Sequence, residues 1–498
     1  MELLSLDFMS IIVSVLVISI GLFVGMFLGA LPGLGLMLAI SLLLPLSYAL
    51  SPLHSILLLL ACYQGSEYGG SISAILLGIP GTAMAAATKL DGQPYAQKKS
   101  PGKALAYSLT ASTIGGLFGG LVLIFLSKPI ANVALKLGDP EYFLIGLLGL
   151  VAVASLGVKD KIRGFISIIL GFMTATIGLD LFTGQARFTG GFIELMGGIN
   201  LIAVVVGLFA FTEIFQMLKN DINKNRKIVA KDLKIKISIK EYWKVRKATT
   251  TGSIIGAIVG IIPGLGANAS SWFAYLLAKK TSKKPEEFGN GSAEGIVAPE
   301  SANNAVVGGS LLPLLTLGIP GSASIAIIAG AFIIHGIQPG PHVLEKNADL
   351  INAIFIGFLF TTIGMYIMGK FMTGMFAKVL VIKDSYLIPS IIMFSLVGVY
   401  TSYGVYFDLW VALVLGVLAY ILKTLNFSVT YFILAFVLAP IIESSLRRSL
   451  SLSQGSYMIF VERPISLVLL LIVVGVFILT IVNNFRNKNV VNTEGIDI

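Results

Sequence analysis

The sequence predicts an all-α polytopic membrane protein: two inverted-topology repeats with broken helices and re-entrant hairpins, about 12 transmembrane segments in all. Three observations predict it. First, the 498 residues are 56% hydrophobic and only 12% charged, with a mean hydropathy of +0.91; a soluble domain is roughly 25% charged. Second, the apolar runs are continuous, as over 465–482, where a transmembrane β-barrel alternates polar and apolar residues. Third, the chain carries one set of motifs twice.

Gly21, Gly25 and Gly29 precede Pro32-Gly33-Leu34-Gly35; at an offset of 231, Gly252, Gly256 and Gly260 precede Pro263-Gly264-Leu265-Gly266. Gly69-Gly70-Ser71 leads to Gly78-Ile79-Pro80-Gly81-Thr82, and at offsets of 239 to 240 Gly308-Gly309-Ser310 leads to Gly318-Ile319-Pro320-Gly321-Ser322. The slow drift of the offset fits a duplication with loop insertions.

A crossing needs about 20 apolar residues. Candidate segments lie near 9–30, 34–50, 54–79, 104–127, 141–158, 163–180 and 199–218, then 249–262, 265–279, 293–317, 322–336, 350–376, 387–403, 406–422, 427–442 and 465–485. Several are short or broken by Gly and Pro and read as half-helices. The expected organisation is a first repeat over 1–218, a basic cytoplasmic linker over 219–248, a second repeat over 249–485 and a tail over 486–498.

Loop charges give the relative orientation. Tyr48–Ser55 has no Lys or Arg, while its counterpart Lys279–Asn290 has Lys279, Lys280, Lys283 and Lys284. Lys89–Lys103 has four Lys and one Asp, against one Lys and one Glu in Gly336–Asn347. Lys159–Arg163 is basic and Thr401–Asp408 is not. Basic loops stay cytoplasmic, so the halves are expected to be upside down relative to each other, with an odd number of crossings between equivalent points. Lys219–Lys247, with eleven Lys or Arg and three Asp or Glu, then lies inside the cell. Its charge reads as topology rather than nucleic-acid binding.

Composition excludes further classes. One cysteine, Cys62, forms no intrachain disulfide, and with three histidines it argues against a structural zinc site. The apolar start contains Glu2 and Asp7 and lacks a basic n-region, so it reads as a retained first helix.

Proline and glycine inside apolar sequence end a regular helix, and the freed backbone groups must be buried or line a wet cavity. A helix restarting after such a break points amides, and partial positive charge, at that cavity. The expected anion site therefore comprises Gly33, Leu34, Gly35, Gly81, Thr82, Gly264, Gly266, Asn268, Gly321 and Ser322. Asn303 and Asn304 of Pro299-Glu300-Ser301-Ala302-Asn303-Asn304 add side-chain donors. Acids inside apolar helices default to function. Glu67, in the stretch Gln64-Gly65-Ser66-Glu67-Tyr68 that matches the Glu300 motif, and Glu300 are the coupling-ion candidates, with Ser71 and Ser310. No cofactor is expected; the coupling ion is sodium or a proton, and sodium is the one metal expected. Gly21, Gly25, Gly29, Gly252, Gly256 and Gly260 read as close-packing positions. For Lys89-Leu90-Asp91-Gly92 and for Arg187, surface structural roles are preferred to anion binding. Arg447 and Arg448 read as lipid-facing or as marking a cytoplasmic end.

On these residues the chain resembles the large membrane subunit of the tripartite tricarboxylate transporter family, the TctA type. The likeness is carried by Pro32-Gly33-Leu34-Gly35, Tyr68-Gly69-Gly70-Ser71-Ile72-Ser73-Ala74-Ile75-Leu76-Leu77, Gly78-Ile79-Pro80-Gly81-Thr82, Leu90-Asp91-Gly92, Arg187-Phe188-Thr189 and Pro299-Glu300-Ser301-Ala302-Asn303-Asn304-Ala305. It implies a prokaryotic inner-membrane uptake system with a small membrane subunit and an extracytoplasmic solute-binding protein as partners, and no nucleic acid. The implied cargo is citrate-like tricarboxylates and other carboxylates, driven by an ion gradient. The sequence holds no Gly-x-x-x-x-Gly-Lys-Ser/Thr phosphate loop, in keeping with that. Alternatives are a carrier working without a binding protein and an intramembrane lipid-modifying enzyme; polar motifs recurring in both halves favour transport.

Overall fold

The computed structural model describes residues 8–156, 161–180, 182–219, 233–262, 266–379 and 384–493. Helices α1 Phe8–Ala30, α2 Gly35–Ser47, α3 Pro52–Leu77, α4 Ala86–Lys98, α5 Pro101–Ala134, α6 Asp139–Leu156 and α7 Lys161–Ala175 come first. Two-residue strands β1 Gly178–Leu179 and β2 Ala186–Arg187 then pair antiparallel, Gly178 with Arg187. α8 Leu201–Val205 and α9 Thr212–Lys219 are joined by a π-helical stretch, Val206–Phe211. There follow α10 Ile239–Trp243, α11 Arg246–Ile261, α12 Gly266–Thr281, α13 Ala293–Leu317, α14 Ala323–Ile334, α15 Val343–Lys346 and α16 Ala348–Val379. α17 Asp384–Tyr403, α18 Tyr406–Thr424, α19 Val429–Leu452, α20 Ile459–Glu462 and α21 Pro464–Thr493 complete the chain.

Among the described residues, seven helical segments are long and apolar enough to cross a bilayer: Phe8–Ala30, Pro101–Ala134, Leu201–Lys219, Ala348–Lys378, Ser385–Tyr403, Tyr406–Thr424 and Val429–Leu452. Gly35–Ser47, Ala323–Ile334 and Pro464–Thr480 are apolar but shorter. α3 and α13, at 26 and 25 residues, are long enough but carry the polar motifs; they are buried almost end to end, Ser55–Ile75 and Gly295–Thr316. A helix buried all round exchanges lipid for protein contacts, which is what allows it polar residues. The 89–103 stretch, expected as a loop, is mostly α4: the first Pro-Gly turn restarts the helix directly and carries Asp91 inward.

Local signals explain how α3 and α13 begin and end. Pro52 occupies the first turn of α3, where its missing amide proton costs nothing. Ser292 caps α13, accepting from the Gly295 amide. Each helix stops at a glycine in the left-handed region, Gly78 (φ 69°) and Gly318 (φ 75°), followed two residues later by Pro80 and Pro320, which cannot continue it.

The chain divides into two compact units. The first comprises the described residues of Met1–Ala131, Asn200–Ile262 and Gly266–Tyr420. Here the glycine spacing works as read. A Cβ on Gly21, Gly25 or Gly29 of α1 would sit 2.3 Å from the carbonyl oxygen of Leu58, Cys62 or Ser66 of α3. On Gly252, Gly256 or Gly260 of α11 it would sit 2.2, 2.2 or 2.8 Å from the carbonyl of Ala298, Ala302 or Val306 of α13. Backbone thus lies on backbone in both pairs.

The second unit holds the described residues of Asn132–Ile199 and Ile421–Ile498. α19 packs on α7 and α6, and α21 on α6. Arg187 is bound to Glu443 at 2.6 Å and to Asp180 at 3.3 Å, while Arg447 reaches Asp180 and Glu443, each at 2.9 Å. Arg187 is therefore a structural cation, as preferred from sequence. Arg447 belongs to the same network and Arg448 pairs with Asp139 at 2.8 Å, so both have protein carboxylates as partners where lipid or a bare end marker was expected.

Gly256→Ala is expected to cost about 1–3 kcal/mol through overpacking. Gly374→Ala, where a Cβ would meet nothing within 4 Å, is expected to cost nothing. Thermal unfolding in detergent distinguishes them; equal midpoints would contradict the backbone contact. In the second unit, the amides of Phe182 and Thr183, and then Arg447, hold the Asp180 carboxyl at about 2. A depressed acid stabilises the fold above its ordinary value of 3.8 and loses that contribution as pH falls through about 2. Protection of the 182–187 amides, taken relative to the intrinsic exchange rate at each pH, is expected to hold from pH 7 to pH 4 and to fall between pH 4 and pH 2, measured by hydrogen-exchange mass spectrometry.

Candidate functional site

α3 and α13 cross within the first unit, and their side-chain pairs step in opposite directions. Ser71 meets Glu300, Glu67 lies beside Asn303, and Tyr63 lies beside Ser310. The residue number falls on one helix as it rises on the other, so the two helices run antiparallel. Every one of these six side chains is 0% exposed.

Glu300 is enclosed by hydroxyls. Ser71 and Thr88 donate to Oε1, both at 2.5 Å, and Ser108 and Ser112 donate to Oε2, both at 2.9 Å. These donors come from α3, α4 and α5, so one carboxylate of α13 ties three helices of the first half. Ser108 and Ser112 are one helical turn apart and present both hydroxyls on one face. Two oxygens with four lone-pair sites receive four donors.

Glu67 is different. Thr82 of the first Pro-Gly turn donates to its Oε2 at 3.2 Å, but Oε1 has no hydrogen-bond partner. The adjacent Asn303 has none on either amide atom, and the Tyr63 hydroxyl has none. Gln64 donates nothing from its Nε2, while its Oε1 accepts from Thr362 at 2.9 Å. Buried polar atoms are satisfied in the great majority of native structures. A cluster of unsatisfied ones at one helix crossing makes that crossing the candidate site.

The two Pro-Gly turns frame this crossing. The Gly81 amide donates to the Gly70 carbonyl (3.1 Å) and the Gly321 amide to the Ser310 carbonyl (3.3 Å), the same bond in each copy. A Cβ on Gly81 would lie 2.0 Å from the Gly29 carbonyl, and one on Gly321 2.6 Å from that of Gly260. The hydroxyls diverge: Thr82 serves Glu67, while Ser322 caps α14 by accepting from the Ile325 amide at 3.3 Å. Gly35, the first residue of α2, adjoins the Gly81 carbonyl, and α2 has no side-chain cap at Leu34.

The structure thus brings Gly35, Gly81, Thr82, Asn303, Gly321, Ser322, Glu67, Ser71, Glu300 and Ser310 into one neighbourhood. Asn304 lies on the same helix; its Nδ2 donates to the Glu300 carbonyl at 3.3 Å and its Oδ1 is unpartnered. Leu34 is buried and Gly33 exposed at the α1–α2 turn. Gly264 lies outside the described residues; Gly266 and Asn268 belong to α12, with the Asn268 side chain outside them.

Two sequence readings change. Glu67 and Glu300 were matched as the acids of corresponding stretches. The shared turn bonds lie 240 residues apart in the chain, which makes Val307 the counterpart of Glu67 and Leu60 the counterpart of Glu300, so the acids are not equivalents. Asp91, read as a surface residue, is fully buried. Its Oδ1 accepts from the amides of Gly289, Gly291 and Ser292 at 2.9, 2.9 and 2.7 Å, and its Oδ2 accepts from Tyr275 at 2.8 Å. It fixes the entry to α13. Sequence reading also missed Tyr63, Thr88, Ser108 and Ser112. The i, i+4 serine pair in an apolar helix was the available signal; nothing local says what it faces.

A family model described as the tripartite tricarboxylate transporter TctA family matches residues 15–434. An uncharacterized 52.8 kDa protein of the TAR-I ttuC' 3' region of Agrobacterium vitis is 37% identical over 459 residues, covering 92% of this chain and 91% of that protein. An uncharacterized protein of the TAR-II ttuC' 3' region of the same organism is 37% identical over 233 residues, 47% of this chain and 96% of its own length. No solved structure matches the chain.

Asp91→Ala is expected to strand three amides and a phenol, costing about 1–3 kcal/mol. Exchange should accelerate at 289–292 while α1 and α11 stay protected. Uniform loosening throughout the chain would argue against a local anchor.

Proposed function

The chain belongs to the tripartite tricarboxylate transporter TctA family, a family of transporters and not of enzymes, and from that premise we propose that it is the large membrane subunit of a binding-protein-dependent secondary transporter. It imports tricarboxylates such as citrate, or related carboxylates, by symport with sodium or protons across a prokaryotic inner membrane. An extracytoplasmic solute-binding protein delivers the substrate, and a small membrane subunit completes the assembly.

The observation that carries the mechanism is the antiparallel crossing of α3 and α13, helices bearing equivalent motifs, with unsatisfied polar atoms at its centre. Antiparallel equivalents are what inverted repeats produce. The alternation of basic and neutral loops supports the same reading, with repeats at 1–218 and 249–485, the linker 219–248, the tail 486–498, and about 12 crossings once shorter and polar helices are included. The carboxylate meets the amides of the broken segments at Gly33, Leu34, Gly35, Gly81, Gly264, Gly266 and Gly321, with Thr82, Ser322, Asn268, Asn303 and Asn304 as side-chain donors. Helix N-termini favour anions because their first amides are unpaired and the peptide dipoles add. The candidates for holding the coupling ion are the buried acids and hydroxyls Glu67, Ser71, Glu300 and Ser310. Alternating access then moves one part of the bundle against the rest around a fixed site.

The test is uptake of radiolabelled citrate and other carboxylates into proteoliposomes holding this chain and the small membrane subunit, with the binding protein outside. Uptake is expected only with an imposed sodium or proton gradient and only with the binding protein. Gly81→Val, which drives a side chain into the Gly29 carbonyl, is expected to lower it about tenfold or more, at least 1.4 kcal/mol of lost transition-state stabilisation. Full uptake without any gradient, or from the chain alone at an undiminished rate, would sink the proposal.

A further inference from the structure

We propose that Glu67, Asn303 and Tyr63 form the binding site for a sodium-sized cation, and that Glu300, equally buried, is a fixed structural anion that takes none. This deepens the transport reading and rests on it.

The two acids differ in how far the protein itself satisfies them. Glu300 has four hydroxyl donors, two on each oxygen. A carboxylate has about four acceptor sites, so no lone pair is left for an ion. Its donors belong to α3, α4 and α5, which makes it a junction rather than a port. Glu67 has a single donor, Thr82, on one oxygen. The other oxygen is buried and unpartnered. The groups acting on its charge among the described residues are Asn303, Thr82 and Glu300: two neutral side chains and a second acid. A buried carboxylate with neither a basic partner nor a full set of donors is costly, and a bound cation or proton offsets that cost.

What surrounds Glu67 decides which cation. Glu67 Oε1, Asn303 Oδ1 and the Tyr63 hydroxyl are all buried without a formed hydrogen bond; Asn303 lies beside Glu67, and Ser310, Ser322 and Ser324 lie beside the Tyr63 hydroxyl. Tyr63 and Glu67 are four apart on α3, so they share a face; Asn303 approaches from α13. A proton on Glu67 supplies one donor and satisfies one acceptor. A hard cation gathers several carboxylate, amide-carbonyl and hydroxyl oxygens at once. The number of unmatched oxygens therefore favours an oxygen-liganded metal ion over a proton, and a single carboxylate with open acceptor sites suits one charge better than two.

The site also has a link to the anion. Thr82 bonds Glu67 and sits in the Pro80-Gly81-Thr82 turn, which adjoins the start of α2. A cation drawing on Glu67 acts directly on the turn whose backbone faces the proposed carboxylate.

The experiment is a sodium titration of the purified full-length chain, read as the thermal unfolding midpoint. Choline chloride holds the ionic strength constant, and potassium chloride is run in parallel at the same pH. The wild-type chain is expected to show a saturable, sodium-selective rise. Glu67→Gln is expected to abolish it. Tyr63→Phe and Asn303→Ala are expected to raise the half-saturating sodium concentration at least about 10–100-fold, the loss that removing even an outer-shell partner causes at a metal site. Should Glu67→Gln not fold, these two carry the same expectation. Ser108→Ala and Ser112→Ala are expected to lower the midpoint while leaving the half-saturating concentration unchanged, because they touch only Glu300. Three results overturn the proposal: no sodium-selective rise in the wild-type chain, an undiminished rise in Tyr63→Phe and Asn303→Ala, or a shift in the serine variants as large as theirs. Gradient-driven uptake without sodium binding would overturn this site and leave the transport reading standing. Sodium binding without carboxylate uptake under any gradient would do the reverse.

Discussion

A carboxylate inside a bundle of apolar helices has no water to fall back on, so its partners must be built into the protein. That requirement organises the first unit. Glu300 draws hydroxyls from three other helices, and Asp91 draws three amides and a phenol onto the start of the same helix. Together they fix where α13 begins and what its middle faces. Glu67, one helix across, receives one donor for about four acceptor sites. The contrast between a saturated acid and an unsaturated one separates scaffold from site.

Such a crossing needs its helices held at a defined depth. The glycine rows of α1 and α11 do this by letting backbone touch backbone. Because the carbonyls of α3 and α13 lie within van der Waals reach of a helix without side chains on that face, neither helix can slide without collision. The same proximity wedges each Pro-Gly turn against the end of a glycine row, Gly81 on Gly29 and Gly321 on Gly260. Close packing and site geometry are therefore one feature. The second unit is held differently, by the Asp180, Arg187, Glu443 and Arg447 network near its loop, where the partners are partly exposed and each pair contributes less.

The two halves of the chain share turns and helix ends but not the distribution of acids. Thr82 and Ser322 stand at equivalent positions; one bonds Glu67 and the other caps a helix. Equivalent turns thus have two uses: Thr82 bonds an acid of the neighbouring helix, while Ser322, beside Tyr63, also caps its own helix.

The sequence alone determined that the chain is helical and membrane-embedded, where most helices begin and end, and which glycines pack. These are local or compositional properties: hydropathy sets the solvent, Gly-x-Pro sets the break, and small residues four apart set a close face. It also flagged Glu67, Glu300 and Asn303, because polar groups in apolar runs stand out. Only the tertiary structure decided that Ser108 and Ser112 of α5 belong to Glu300, that Asp91 is an internal anchor, and that the two acids have unequal surroundings. Hydrogen-bond partners some 190 to 230 residues apart leave no local periodicity to read. Which lone pairs are filled depends on how helices cross, and that is settled by packing, not by spacing along the chain.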